Sequence, residues 1–188
     1  MYFLNGDRIY IKPDNGCKSQ NEQLQNCLEK LKQINSGKKV FKINFFADTS
    51  SDEAYEKLQT NVKQLVSTRF STPVITDVIA QPPLTCKVVV EAFYYDPTLW
   101  VSKMIEMEHG AAMLFRRDET EILVGTVQDN ASKNCLENSE NAFGAFGKLL
   151  DNFGFPVNSI IRQWNYLEDI LGFDGEEQRY QEFNNVRS

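Results

Sequence analysis

Along Lys39–Ala47, Phe41, Ile43 and Phe45 alternate with Lys42 and Asn44, the period of a strand with one apolar face. The stretch before it has a longer period. Leu24, Cys27, Leu28, Leu31 and Ile34 recur at helical spacing over Gln20–Ile34, and Gly37 follows as a stop. The Ser50-x-x-Glu53 capping box predicts a second helix whose buried stripe is Tyr55, Leu58, Val62, Leu65 and Val66. Pro73 ends that helix. The β-branched runs Val74–Ala80 and Cys86–Tyr95 predict two strands joined by the rigid turn Gln81-Pro82-Pro83-Leu84-Thr85. At the start of the chain, Tyr2–Leu4 and Arg8–Ile11 flank Asn5-Gly6-Asp7 in the arrangement of a hairpin. Asp96-Pro97 then closes a β-β-α-β-α-β-β unit.

The pattern begins again after it. Met104–Met107, Ala111–Arg116 and Glu121–Val127 read as strands, the last two joined by Asp118-Glu119-Thr120. A helix is predicted from Ser139 to Phe153, with Phe143, Phe146, Leu149, Leu150 and Phe153 inward and Gly154 as its stop. Gly144 and Gly147 on that helix each cost about 1 kcal/mol relative to Ala, which points to close packing against a sheet. Asn158–Leu167 alternates as a strand, and Gly175–Ser188 opens a last helix. Two closing strands of the first unit have no counterpart here. We therefore expect an internal duplication, with units 1–98 and 99–188, the second cut short in a chain that continues past Ser188. The expected fold class is α+β, with two mixed sheets in tandem and helices packed on one face of each.

Composition narrows the function. Hydrophobic residues make up 41% of the 188, including 13 Phe, which is ample for a core. Twenty Lys+Arg against 26 Asp+Glu give a net charge of -6, so a phosphate backbone is a poor partner and no nucleic acid is expected. No 18-residue apolar run exists, which excludes a transmembrane helix. Met1–Ile11 lacks the basic-then-apolar pattern of an export signal. Cys17, Cys27, Cys86 and Cys135 are widely spaced with no Cys-x-x-Cys pair, which reads as reduced thiols in a cytoplasmic protein rather than a disulfide framework or zinc site. His109, the only histidine, stands before Gly110 as a turn residue, so triads and histidine metal sites are closed off. Glu106 and Glu108 share a strand face and read as solvated. No phosphate-loop or dinucleotide motif is present, and neither cofactor nor metal is expected.

The β-β-α-β-α-β-β unit, with its Pro-turn and the run Val88-Val89-Val90-Glu91-Ala92, resembles the YjgF/RidA family. There an Arg on the preceding strand pairs with the substrate carboxylate, and a Glu near the end of the last strand positions water for imine hydrolysis. Glu91 matches that Glu, as a remnant general base or as a solvent-facing or paired structural residue. Val74 stands in the Arg position and cannot form a bidentate carboxylate contact. The resemblance thus implies a YjgF-like fold without a working deaminase site in the first unit.

The second unit is similar to one branch of that superfamily, the chorismatases, which hydrolyse chorismate to benzoate or diene-diol products. The resemblance is carried by Leu114–Gly125, by Arg162-x-Trp164-Asn165-Tyr166, and by Arg179-Tyr180-x-x-Phe183-x-x-x-Arg187. The Ala80–Leu84 turn matches as well. It implies an N-terminal region that supports a substrate site, with the catalytic carboxylate in a further C-terminal domain. On this reading the partners are a small carboxylated or aromatic metabolite, the protein's own C-terminal domain, and other copies of the chain in a homo-oligomer. The substrate-binding candidates are Arg162, Tyr166, Arg179, Tyr180 and Arg187. Arg162, Trp164 and Tyr166 alternate onto one strand face, which suits either a stacked, carboxylated ligand or a domain interface. Tyr180, Asn184 and Arg187 share a helical face beside Arg179, where a last-turn Arg also complements the helix dipole. An imine deaminase of the RidA type, or a non-catalytic binding module, are the alternatives.

Overall fold

The computed structural model describes residues 4, 6–34, 37–129 and 134–187. Contacts divide the chain into two units. The first runs through Ile105 and takes in Ala112–Gly125; the second comprises Glu106–Ala111 and the chain from Thr126 onward. The architecture is α+β, with several sheets and four helices among the described residues.

In the first unit, β1 (Arg8–Ile11), β2 (Lys39–Ala47), β3 (Ile75–Ile79) and β4 (Val88–Tyr95) form a sheet in the order β1-β4-β2-β3. β2 and β3 are parallel and joined by a helix, whereas β4 lies antiparallel between β1 and β2. Helices α1 (Gln20–Gln33) and α2 (Asp52–Arg69) share one core with alternate strand residues. Leu24, Cys27, Leu28 and Leu31 of α1 and Leu58, Val62 and Val66 of α2 bury themselves against Ile43, Phe45, Val88, Val90, Ala92 and Tyr94. The period of two that predicts these strands is what turns every second residue toward the helices. A capping box opens α1, with Ser19 Oγ accepting from Glu22 N–H and Glu22 reaching back to Ser19 N–H.

The other sheet face carries Arg8, Tyr10, Asn44, Asp77, Glu91 and Phe93. At one end of it the register of β2 shifts between Val40 and Lys42. There Phe41 meets the rings of Phe93 at 6.3 Å, Tyr95 at 6.2 Å and Phe115 at 4.9 Å, and Tyr95 also meets Phe115 at 5.0 Å. Phe115 belongs to β6 (Gly110–Arg117), the middle strand of a sheet with β5 (Val101–Met107) and β7 (Thr120–Val127).

The second unit holds α3 (Cys135–Asn152), a 3-10 turn at Val157–Ser159, a two-residue hairpin β8 (Phe173–Asp174) and β9 (Glu177–Gln178), and α4 (Arg179–Arg187). Gly175, at φ 74°, makes the hairpin turn, and Gly154 ends α3 at φ 70°. Phe143 of α3 packs on Phe183 of α4 with ring centroids 5.7 Å apart.

Several expectations need correction. Asn158–Leu167 is not a strand: after the 3-10 turn the chain runs without sheet pairing to the turn at 168. Alternation describes an extended backbone, but a strand also needs a ladder partner, and none of the described strands supplies one. α2 starts one residue later than its capping box suggests, with Ser51 as N-cap accepting from Ala54 N–H, while Glu53 pairs with Lys57 at 2.7 Å. α3 begins four residues before Ser139, at Cys135, capped by Asn134. Gly144 and Gly147 face open space, since a Cβ at either meets nothing within 4 Å, so close packing does not explain them. Of the expected N-terminal hairpin, residues 1–3 and 5 lie outside the described residues. Gly6 itself is no free turn tip. A Cβ there falls 1.6 Å from the Tyr94 carbonyl oxygen, and Asp7 accepts from Tyr94 N–H at 2.8 Å, so the chain lies flush along β4.

Phe115 is fully buried against the rings of Phe41 and Tyr95. Phe115→Ala should therefore cost about 3–5 kcal/mol of stability, as aromatic truncations in cores do. Urea unfolding measures this; a loss well under 1 kcal/mol, roughly the cost of a surface change, contradicts the packing described.

Candidate functional site

Two groups of charged and aromatic side chains stand out, one in each unit. In the first, Glu91 on β4 is 2% exposed and Asn44 on β2 6%. The register places Tyr10, Glu91, Asn44 and Asp77 in one row across the four strands. Arg8 Nε donates to Glu91 Oε1 at 2.5 Å, with Nη2 closing on the same oxygen. Asn44 Nδ2 donates to Oε2 at 2.7 Å. Both carboxylate oxygens are thus taken up within the sheet. The guanidinium also lies over the rings of Tyr10 at 5.1 Å and Phe93 at 5.5 Å, where two π faces favour its charge. The Tyr10 hydroxyl is pushed above its usual pKa by burial and then by the Glu91 carboxylate beside it. Along the row, Lys42 pairs with Asp77 at 2.5 Å. Asn44 Oδ1 is buried and accepts no hydrogen bond.

Val74 packs against the helix-side core, and β3 is separated from β4 by β2. The cation that meets Glu91 is Arg8, which sequence reasoning missed. Its signal was present. Arg8 and Tyr10 alternate with Ile9 and Ile11, so they occupy the face away from the helices; only the β1–β4 register was needed to bring them to Glu91.

In the second unit, Arg179 opens α4 and is fastened on three sides. Its Nε donates to Asp174 Oδ1 at 2.8 Å, its Nη1 to the Glu168 carbonyl at 3.1 Å, and its backbone N–H to the Gly172 carbonyl at 3.0 Å. Asp174 Oδ2 in turn accepts from Cys135 N–H at 2.7 Å, at the start of α3. That N–H and then Arg179 hold the Asp174 carboxyl below its usual pKa, and Asp174 raises the Arg179 guanidinium in return. Glu182, on the same helix, is 7% exposed and its Oε2 has no hydrogen-bond partner. Burial, then the charges of Asp174 and Glu177, push its carboxyl above the usual range.

The other sequence candidates sit at the surface. The Arg162 guanidinium lies over the Trp164 ring at 4.9 Å, two residues along an extended backbone. Trp164, Tyr166 and Tyr180 are about half exposed, Ile161 is 78% exposed, and Arg187 is exposed at the end of α4.

Residues 98–188 match the family described as chorismatase FkbO/Hyg5-like, N-terminal. The matched stretch covers just under half of the chain. No curated protein and no solved structure matches it. The matched stretch starts in the turn after β4 and contains Arg162, Tyr166, Arg179, Tyr180 and Arg187. The Arg8–Glu91–Asn44 cluster lies outside it. None of the described helices is long and apolar enough to cross a membrane.

Removing Arg8 leaves the buried Glu91 charge on a single amide donor. Arg8→Met should cost about 3 kcal/mol, the lower end of the range for breaking a buried pair because Arg8 is partly exposed. Arg8→Met combined with Glu91→Leu should recover most of that. A double variant as unstable as Arg8→Met alone, by urea unfolding, excludes the ion pair as the cause.

Glu182 gives a pH prediction in the second unit. A carboxyl whose folded pKa is raised contributes fully below the unfolded value of about 4.3 and loses that contribution as pH rises through the folded value. Ionisation of Glu182 therefore weakens the second unit toward neutral pH. Glu182→Gln should raise the melting temperature near neutrality and leave it little changed under acid conditions. An equal shift at both pH values overturns the assignment.

Proposed function

We propose that this chain is the N-terminal, substrate-supporting region of a cytoplasmic chorismatase-like protein that acts on chorismate or a related small carboxylic acid. The observation that carries the reading is the family match over 98–188, which spans the Arg162–Tyr166 and Arg179–Arg187 motifs. In this reading the chain holds two YjgF-like units in tandem, and a catalytic carboxylate comes from a domain beyond these residues. Arg162, stacked on Trp164, offers a charged contact to a ligand carboxylate beside an aromatic face, which suits a ring-bearing acid. Tyr166 and Tyr180 add exposed hydroxyl-bearing rings. Arg179 is spent on Asp174 and the Glu168 carbonyl, so in this reading it positions the start of α4.

One observation favours an imine deaminase instead: a guanidinium, Arg8, stands against Glu91. To bind a substrate carboxylate it has to leave a buried counter-charge, at the cost of an unpaired Glu91. A working base also needs reach to a substrate proton, and both Glu91 oxygens are engaged.

The purified chain should quench its tryptophan fluorescence on addition of chorismate, and Arg162→Gln should weaken binding roughly tenfold or more, about 1.4 kcal/mol. Chorismate absorbance and pyruvate release should show no turnover, and 2-aminoacrylate-type imines should hydrolyse at the uncatalysed rate. Heat-sensitive turnover of either substrate, or chorismate binding indifferent to Arg162, overturns the proposal.

A further inference from the structure

Three cysteines that are far apart in the sequence converge in the first unit. Cys17 lies in the irregular segment ahead of α1, Cys27 on the buried face of α1, and Cys86 in the bend that leads into β4. The buried amide of Gln23, one helical turn before Cys27, joins the other two segments. Its Nε2 donates to the Cys17 carbonyl at 3.0 Å, and its Oε1 accepts from Lys87 N–H at 2.6 Å and Val88 N–H at 3.3 Å. Adding these bonds to ordinary backbone dimensions keeps the Cα atoms of Cys17 and Cys86 within about 13 Å of each other. A disulfide needs about 4.4–6.8 Å. Both residues sit in segments without helix or strand, so closing the pair takes a rearrangement of those two segments around Gln23.

The three thiols are not equivalent. Cys27 is fully buried, with its Sγ against the Ile11 carbonyl at 3.8 Å. Burial pushes that thiol up to about 12, and the nearby Cys86 and Cys17 add to the effect. It stays protonated and unreactive. Cys17 and Cys86 are half-buried and reachable, and Cys135 belongs to the second unit.

We propose that Cys17 and Cys86 are a redox pair, closed by exchange with a small disulfide such as oxidised glutathione. The thiolate of one cysteine attacks the small disulfide, forming a mixed disulfide and expelling one small thiolate. The second cysteine attacks the mixed disulfide and expels the other. Two protein thiols are oxidised, one small disulfide is reduced to two thiols, and the two protons pass to them. The new bond staples the segment before α1 to the start of β4 and closes a loop containing α1, β2, α2 and β3. Such a loop removes conformations from the unfolded chain, so oxidation raises the melting temperature.

The full chain is incubated with oxidised glutathione, alkylated, unfolded, digested and mapped by mass spectrometry. The expected product is a Cys17 peptide joined to a Cys86 peptide with loss of two hydrogens, together with a raised melting temperature, both reversed by dithiothreitol. The link should persist in Cys27→Ser and Cys27→Ala. Separate glutathione adducts on Cys17 and Cys86 without a link, a link through Cys27, or only links between chains each overturn the proposal; mapping of the unsubstituted chain decides even where a variant fails to fold.

Discussion

A carboxylate inside a sheet has to find its counter-charge among the neighbouring strands. β4 is covered by helices on one face and buried on the other for most of its length, so Glu91 has no water to solvate it. Arg8 arrives from β1 and Asn44 from β2, the strands on either side. The three side chains meet only when both strands hold their observed registers. A slip of one residue in β1 turns Arg8 toward the helices and Ile9 toward Glu91. The ion pair thus acts together with the burial of Ile9 and Ile11 on the helix side to fix the alignment of β1.

Where periodicity and breakers agreed, the elements were legible in the sequence. β2 spans Lys39–Ala47, although the register shift between Val40 and Lys42 puts Val40 rather than Phe41 on the face of Ile43 and Phe45, and α1, β3 and β4 lie within two residues of expectation. The Asn158–Leu167 stretch shows the limit of the method. Its alternation is present, and Arg162 does reach Trp164 two residues on, yet ladder pairing depends on a partner that local pattern cannot reveal. The misjudged glycines of α3 have the same origin, because helical propensity says what a glycine costs and not what stands opposite it.

The candidate site was legible in its residue types more than in their partners. Glu91 was singled out, but Arg8, distant in the chain, emerges only from strand order. Arg179 was singled out as a ligand contact, and its surroundings are Asp174, the Glu168 carbonyl and the first turn of α3. Asp174 does two things at once: it accepts from the helix N-terminus and neutralises the Arg, which is why its carboxyl ionises so readily. Glu182, within reach of the same charges but lacking a donor for Oε2, is driven the opposite way.

The missing side chain at Gly6 bears on the far side of this network. Its backbone lies so close to Tyr94 that a single methyl group has no room there. Two residues later the same run of chain delivers Arg8 to Glu91. A methyl at residue 6 therefore has to lift the chain off Tyr94 just ahead of the strand that brings Arg8 to Glu91. The room left by one absent side chain thus bears on a carboxylate held further along β4.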